Sequence, residues 1–218
     1  MLVKDCMTRH PVMVSPTTSA AEAQRIMAEN QIRHLPVVGD GKRFLGLITR
    51  QRLALKTDAI GSLNIWEISR YLSDLKVRQV MLKAPQVYTV TPDVSVERAA
   101  AIMSEHKIGC LPVLEDDVVV GIATQMDILR SFQEMLGLPH EGVRVTVRFP
   151  DQPGQFIKLM NVLAEHRWGV MGIGTFPSRR RPGFYDAVLK IPHVTPQEVE
   201  TAFRAIPEHE IVDIRTEV

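Results

Sequence analysis

The chain has 218 residues, 45% of them apolar, with 26 Lys and Arg against 25 Asp and Glu for a net charge of +1. That balance supplies no field for nucleic acid or an anionic membrane surface, and no run approaches the roughly 18 uninterrupted apolar residues of a membrane span, so neither partner is expected. Met1–Cys6 lacks the apolar core of a signal peptide, and Cys6 and Cys110 are too few and too far apart for a disulfide framework or a zinc site, so a reducing cytoplasm is the expected setting.

In chain order, Val12-Met13-Val14 is a short β-prone run stopped by Pro16. Ser19 with Glu22 forms a capping box opening a helix with Ala23, Ile26 and Met27 on one face. A strand through Leu35-Pro36-Val37-Val38, a turn at Gly39-Asp40-Gly41 and a strand from Phe44 to Ile48 follow. The heptad Gly46-Leu47-Ile48-Thr49-Arg50-Gln51-Arg52 then turns from strand into a helix ending near Lys56. In segment 57–76, Ser62 caps a linker helix with Ile65, Ile68, Leu72 and Leu75 at helical spacing, widened by Trp66 and Tyr71. From the β-prone run Val87-Tyr88-Thr89-Val90 the pattern recurs. Pro16–Met27 matches Pro92–Met103, and Ile32–Val38 matches Ile108–Leu114, at an offset of 103 − 27 = 76. The heptad returns as Gly121-Ile122-Ala123-Thr124-Gln125-Met126-Asp127, offset by 121 − 46 = 75. Such register marks a duplicated β-α-β-β-α unit, residues 1–56 and 77–136, around the linker 57–76.

After the break at Leu136–Gly142 the pattern changes. Val143, Val145, Val147 and Phe149 alternate as in a half-buried strand. The turn Asp151-Gln152-Pro153-Gly154 leads to a helix with Phe156, Leu159, Met160 and Leu163 inward. A glycine-rich strand from Gly169 to Phe176, a basic hairpin tip at Arg179-Arg180-Arg181 and a strand from Asp186 to Ile191 follow. Thr195 with Glu198 caps a second helix, and Ile211–Ile214 closes the order βαββαβ over residues 143–218, a ferredoxin-like arrangement. The class is α+β.

Candidate chemistry sits on the heptads. The first amides of a helix attract anions, a threonine hydroxyl adds a donor, and a carboxylate can accept both hydroxyls of a ribose. Thr124 and Asp127 fit that role, but they also fit a plain helix cap. His34 has no nucleophile or carboxylate locally paired with it, which favours a cleft wall over a catalytic base, and Cys110 in the equivalent place reads as a small buried hydrophobe. His166 and Arg167 read as helix-terminal charge, and Gly169, Gly172 and Gly174 have the wrong spacing for a dinucleotide fingerprint.

The matching segments Pro16…Ile26-Met27, Ile32…Val38 and Gly46…Thr49, with their partners through Gly121…Thr124…Asp127, resemble a tandem pair of CBS domains. The turn Asp151–Gly154 within βαββαβ resembles an ACT domain, and the domain order is similar to the acetoin-utilisation protein B family of bacterial CBS–ACT proteins. The resemblance implies a regulatory homodimer without catalytic residues or a catalytic cofactor, whose clefts hold an adenine nucleotide and signal to a partner enzyme. One cleft would combine Thr124 and Asp127 with Val12, Ile32, Arg33 and His34. The other would combine Thr49 with Arg52, Gly109 and Cys110, and here Arg52 stands where the family has aspartate. The ACT resemblance implies a small-ligand site at a dimer interface, using Asp151, Pro153, Gly154 and Met171. A dimerisation adaptor binding nothing small, or an enzyme acting on a nucleotide or acetoin-linked metabolite, are the alternatives.

Overall fold

The computed structural model describes residues 1–54, 65–138 and 140–217. The helix end expected at Lys56, the cap Ser62 and the linker residue Pro139 lie outside the described residues. Two compact units divide the chain, Met1–Ile128 and Leu129–Val218.

The first unit runs α1 (Val3–Cys6), β1 (Thr8–Arg9), α2 (Ala20–Glu29), β2 (His34–Val38), β3 (Phe44–Thr49) and α3 (Arg50–Leu53). It continues with α4 (Ile65–Asp74), α5 (Val77–Val80), β4 (Leu82–Lys83), α6 (Val96–Glu105), β5 (Cys110–Glu115), β6 (Val118–Thr124) and the start of α7 (Gln125–Met135). Ser19 and Ser95 cap α2 and α6, accepting the amides of Glu22 and Arg98 at 3.2 Å. The capping box expected at Ser19 is only half made. The backbone of Ser19 bridges to Lys76, and the Glu22 carboxylate instead pairs with Arg25 at 2.7 Å on the outer face.

Strands β2 and β3, and likewise β5 and β6, form hairpins in the same register, with His34 opposite Thr49 and Cys110 opposite Thr124. Asp116 and Asp117 both turn in the left-handed region (φ 49° and 65°), as a two-residue hairpin whose twist matches its strands requires. The runs expected as strands at 12–14 and 87–90 make one parallel bridge each among the described residues, Val14 to Val37 and Val90 to Val113. Pro16 and Pro92, which lack an amide donor, follow closely.

The third strand of each sheet is exchanged. Strand β4 pairs with β3, and β1 pairs with β6. The short helices follow: the Val77 amide donates to the Thr18 carbonyl at 2.9 Å, and the Val3 amide to the Val94 carbonyl at 2.8 Å. Residues 1–9, grouped by sequence with the first repeat, therefore pair with the second, and residues 77–83 pair with the first. A glycine stands at each crossing. A Cβ on Gly46 would fall onto the Leu82 carbonyl oxygen, and one on Gly121 would meet the Met7 sulfur at 2.5 Å and the Thr8 carbonyl oxygen at 3.2 Å. Val77 joins Met27, Leu35, Val37 and Ile48 in the core of the first repeat. Phe44 and Leu47 pack with Cys110, Val119 and Ile122, tying the repeats together by apolar burial.

The second unit runs β7 (Gly142–Pro150), α8 (Gln155–Glu165), β8 (Gly172–Pro177), β9 (Phe184–Ile191), α9 (Pro196–Arg204) and β10 (Glu210–Glu217). The antiparallel sheet has the order β10-β7-β9-β8. Alternation along β7 sends Val143, Val145, Val147 and Phe149 to the core, against Leu159 and Leu163 of α8 and Val199 and Phe203 of α9. Here the capping box is complete: the Glu198 carboxylate accepts from the Thr195 amide at 2.7 Å, and the Thr195 hydroxyl accepts from the Glu198 amide at 3.3 Å. On the other sheet face, buried Arg148 and Asp186 pair bidentately at 2.7 and 3.1 Å. At the basic hairpin, Arg181 stacks over Phe184 at 3.9 Å and pairs with Glu210 at 3.4 Å.

Candidate functional site

The hairpin registers deliver the heptad residues to the ends of β3 and β6. Opposite Thr49 stands His34, and the Arg50 amide donates to the Arg33 carbonyl at 2.8 Å. Opposite Thr124 stands Cys110, and the Gln125 amide donates to the Gly109 carbonyl at 3.1 Å. Each heptad is thus hydrogen-bonded to the strand start of its own repeat. Of the crosswise grouping expected from sequence, Thr124 and Asp127 with Val12, Ile32, Arg33 and His34, and Thr49 and Arg52 with Gly109 and Cys110, Val12 follows a strand that crosses to β6, while Arg33, His34, Gly109 and Cys110 are direct neighbours of their own repeat's heptad. Segments before each repeat make the crossing instead. Strand β1 lies along β6, leading into Pro11 and Val12, while β4 lies along β3, leading into Val87 and Tyr88.

All ten expected cleft residues nevertheless line one continuous cavity of about 1410 Å³ within the first unit. His34 stands where the halves meet: a Cβ on Gly109 would lie 3.4 Å from its Cε1. Tyr88 lines the same cavity and stacks on His106, with ring centroids 3.8 Å apart and planes 10° from parallel. Sequence reasoning passed over Tyr88 as a site residue, although the repeat marks it, since it follows Val12 by 88 − 12 = 76 residues.

Thr124 and Asp127 satisfy one another as a cap. The Asp127 carboxylate accepts from the Thr124 amide at 2.8 Å and from its hydroxyl at 2.6 Å. In the first repeat, Thr49 accepts the Arg52 amide at 3.3 Å, and the Arg52 guanidinium donates to the Val80 carbonyl at 3.3 Å. The same helix turn therefore ends in a carboxylate in one copy and a guanidinium in the other. Burial pushes the Cys110 thiol up to about 12, so at neutral pH it is a protonated, packed side chain rather than a nucleophile. Among the described residues, no group of three His, Cys, Asp or Glu side chains is placed to hold a metal ion.

Burial, with the Arg33 charge second, holds the His34 imidazole below its ordinary value of 6.5. Between that lowered value and 6.5 the unfolded chain binds more protons than the folded one, so stability rises with pH across this window. Below the folded value both states are protonated and the dependence ends. His34→Gln is expected to flatten this part of the profile, read as urea midpoints against pH. An unchanged slope would mean that His34 does not titrate differently on folding.

In the second unit the turn at 151–154 is positioned by the Asp151 amide, which donates to the Gly183 carbonyl at 2.9 Å. Gly154 caps α8 at φ 86°, which is why glycine stands there. Met171 is elsewhere. Its amide donates to the Lys190 carbonyl at 2.9 Å, and Lys190 lies opposite Arg144 on β7. The turn follows Pro150, roughly 20 Å further along that strand at about 3.4 Å per residue. Within one chain Met171 and the turn at 151–154 therefore stand at different ends of the sheet, so a site using all four residues would have to draw on two chains, as the expected dimer interface does.

Residues 3–56 and 77–134, just over half of the chain, match the CBS domain. The chain belongs to the CBS-domain family. The CBS pair is similar to the crystal structure of an AcuB-named acetoin utilization protein from Vibrio cholerae, at 33% identity and a TM-score of 0.53, over 63% of this chain and 94% of that one. It is also similar to the CBS domain pair of protein MJ0100 in complex with 5′-methylthioadenosine and S-adenosyl-L-methionine, at 31% identity and a TM-score of 0.50, over 61% and 95% of the chains. L-aspartate semialdehyde sulfurtransferase of Methanocaldococcus jannaschii is 31% identical over 60% of this chain, but only 23% of that enzyme is spanned. The likeness to the enzyme is thus confined to a minor part of its length. No helix among the described residues is long and apolar enough to cross a membrane.

Proposed function

We propose that the CBS pair is a non-catalytic sensor of an adenosine-containing ligand, with adenine nucleotides of the AMP, ADP or ATP type as the class. The observation that carries this is the Thr124–Asp127 pair at the edge of a cavity shared by both repeats. The MJ0100 pair, crystallised with two adenosine derivatives, supports it. Asp127 would accept the ribose hydroxyls, the Val12 and Tyr88 segments would flank the base, and the Thr124 hydroxyl would turn toward phosphate. A ligand touching both repeats favours whichever arrangement of them it binds better, and the signal is worth only that difference in affinity. We read the second unit as an ACT domain, from its Asp-x-Pro-Gly turn and βαββαβ order, and the whole as a cytoplasmic homodimer acting on a partner enzyme. Likeness to the Vibrio cholerae protein supports a place in acetoin utilisation. An adaptor that binds nothing small is favoured by one observation, that Thr124 and Asp127 already satisfy each other.

Thermal unfolding with and without 5′-methylthioadenosine, S-adenosylmethionine and AMP decides between them. A ligand at 100 times its Kd adds about 2.7 kcal/mol to the unit that binds it. An upward shift of the first transition, with the ligand recovered chemically intact, is the expected result. No shift with any of the three at millimolar concentration would leave the adaptor, and conversion of the ligand would leave an enzyme.

A further inference from the structure

The two halves of the cavity are built on the same backbone frame but carry different charge at equivalent positions. Arg50 donates its amide to Arg33 in one repeat as Gln125 does to Gly109 in the other, and Arg52 occupies the turn position that Asp127 holds. At these three equivalent positions the first repeat presents Arg33, Arg50 and Arg52, and the second presents Gly109, Gln125 and Asp127. Lys107 adds a further cation to the lining, and Asp127 is the one carboxylate among the described lining residues. No carboxylate lies within ion-pairing distance of Arg33, Arg50, Arg52 or Lys107 among the described residues. Two copies of one small ligand cannot suit both halves, because the group that clamps a ribose in one is replaced by cations in the other. His34 against Gly109 marks how closely the halves adjoin. A volume of 1410 Å³ exceeds the roughly 300–1,000 Å³ usual for a small-molecule pocket, so an extended ligand has room.

We infer that this cavity takes one nucleoside polyphosphate per chain, the nucleoside in the Thr124–Asp127 half and the phosphate chain running across His34 onto Arg33, Arg50 and Arg52. Guanidinium groups suit this role, since their planar forks bond phosphate oxygens bidentately and stay charged at every working pH. This inference rests on the adenosine-sensing reading for the nucleoside half only. Because the three arginines are solvent-exposed, their attraction is screened over about 8 Å at physiological ionic strength, and the preference for added phosphates weakens as salt rises.

The test is calorimetric titration of the full chain with AMP, ADP, ATP and inorganic tripolyphosphate at low and high salt. The same titrations are made on the variant Arg33→Gly/Arg50→Gln/Arg52→Asp, which installs the second repeat's residues in the first. Arg52→Ala serves as a milder second variant should the triple exchange disturb folding. The expected result is one ligand per chain, at least tenfold tighter binding of ATP than AMP at low salt, and competition by tripolyphosphate. In the triple variant the phosphate preference falls below threefold and two AMP bind per chain. AMP and ATP binding the wild-type chain within threefold of each other, or two AMP per wild-type chain, would overturn the inference while leaving adenosine sensing intact. Tripolyphosphate binding as tightly as ATP, with no response to AMP, would overturn the nucleoside assignment and the sensing reading together. Absence of binding by all four compounds would overturn both as well.

Discussion

Asp127→Ala is expected to weaken binding of an adenosine ligand by about 100-fold and to lower the stability of the first unit by about 1 kcal/mol. The two effects have separate causes. A hydrogen bond to a charged group contributes about 1.5–3 kcal/mol, which converts to roughly 10- to 150-fold in affinity, and two ribose hydroxyls would share this carboxylate. The stability loss comes from the cap, because Asp127 accepts both the amide and the hydroxyl of Thr124, and losing such a residue costs about 0.5–2 kcal/mol. Asp127→Asn separates the two. The amide oxygen still accepts from Thr124, so the unfolding midpoint stays within about 0.5 kcal/mol of wild type, while affinity for 5′-methylthioadenosine still drops about tenfold. Calorimetry and urea unfolding on the same two variants read both quantities. Equal affinity for wild type and Asp127→Asn, with a stability loss in Asp127→Ala, would make Asp127 a cap and nothing more.

What could be read from the chain divides along the line between local and long-range interactions. The hairpins, α2, α6 and the helix starts were legible because alternation, turn residues and capping serines act within a few residues of each other. Cys110 was legible as packing because its repeat mate His34 stands in the same strand position. The exchange of β1 and β4 was not legible. Thr8–Arg9 and Leu82–Lys83 are two-residue strands with no period to detect, and which hairpin each joins is settled by packing far away in sequence. The ten expected residues line one cavity, and the segments that cross between the repeats are 8–12, which carries the expected Val12, and 82–88, which carries Tyr88. The separation of Met171 from the turn at 151–154 within one chain was not legible for a related reason, since alternation identifies a strand without saying which end meets the turn.

The exchange also accounts for the glycine that opens each heptad, and Gly46→Ala is the second large expectation. In an ordinary strand this substitution would be neutral or mildly favourable, by about 0.4–1 kcal/mol, because alanine restricts the unfolded chain more than glycine does. Here a methyl group at Gly46 would occupy the carbonyl oxygen of Leu82, a backbone atom held in β4, so no side-chain rotation can make room. Either β3 or β4 must move. Overpacking of this kind costs about 1–3 kcal/mol, and detaching β4 forfeits its ladder hydrogen bonds at about 1 kcal/mol each. A destabilisation of about 3 kcal/mol is therefore expected for the first unit. Gly121→Ala provides the control. Its new methyl group meets chiefly the Met7 side chain, which can swing away, with the Thr8 carbonyl oxygen at 3.2 Å, and its cost is expected to stay below about 1.5 kcal/mol. The inequality matters more than either value, because repeat symmetry alone would make the two substitutions equal. Urea unfolding of both variants measures it, and hydrogen exchange at the Leu47 amide, opposite Leu82, shows whether β4 has lifted. Leu82, Val87 and Tyr88 line the cavity through this strand, so Gly46→Ala should also weaken ligand binding without touching any group that contacts ligand. Equal stability losses in the two variants, with unchanged binding, would mean that the crossing strands do not hold the cavity in shape.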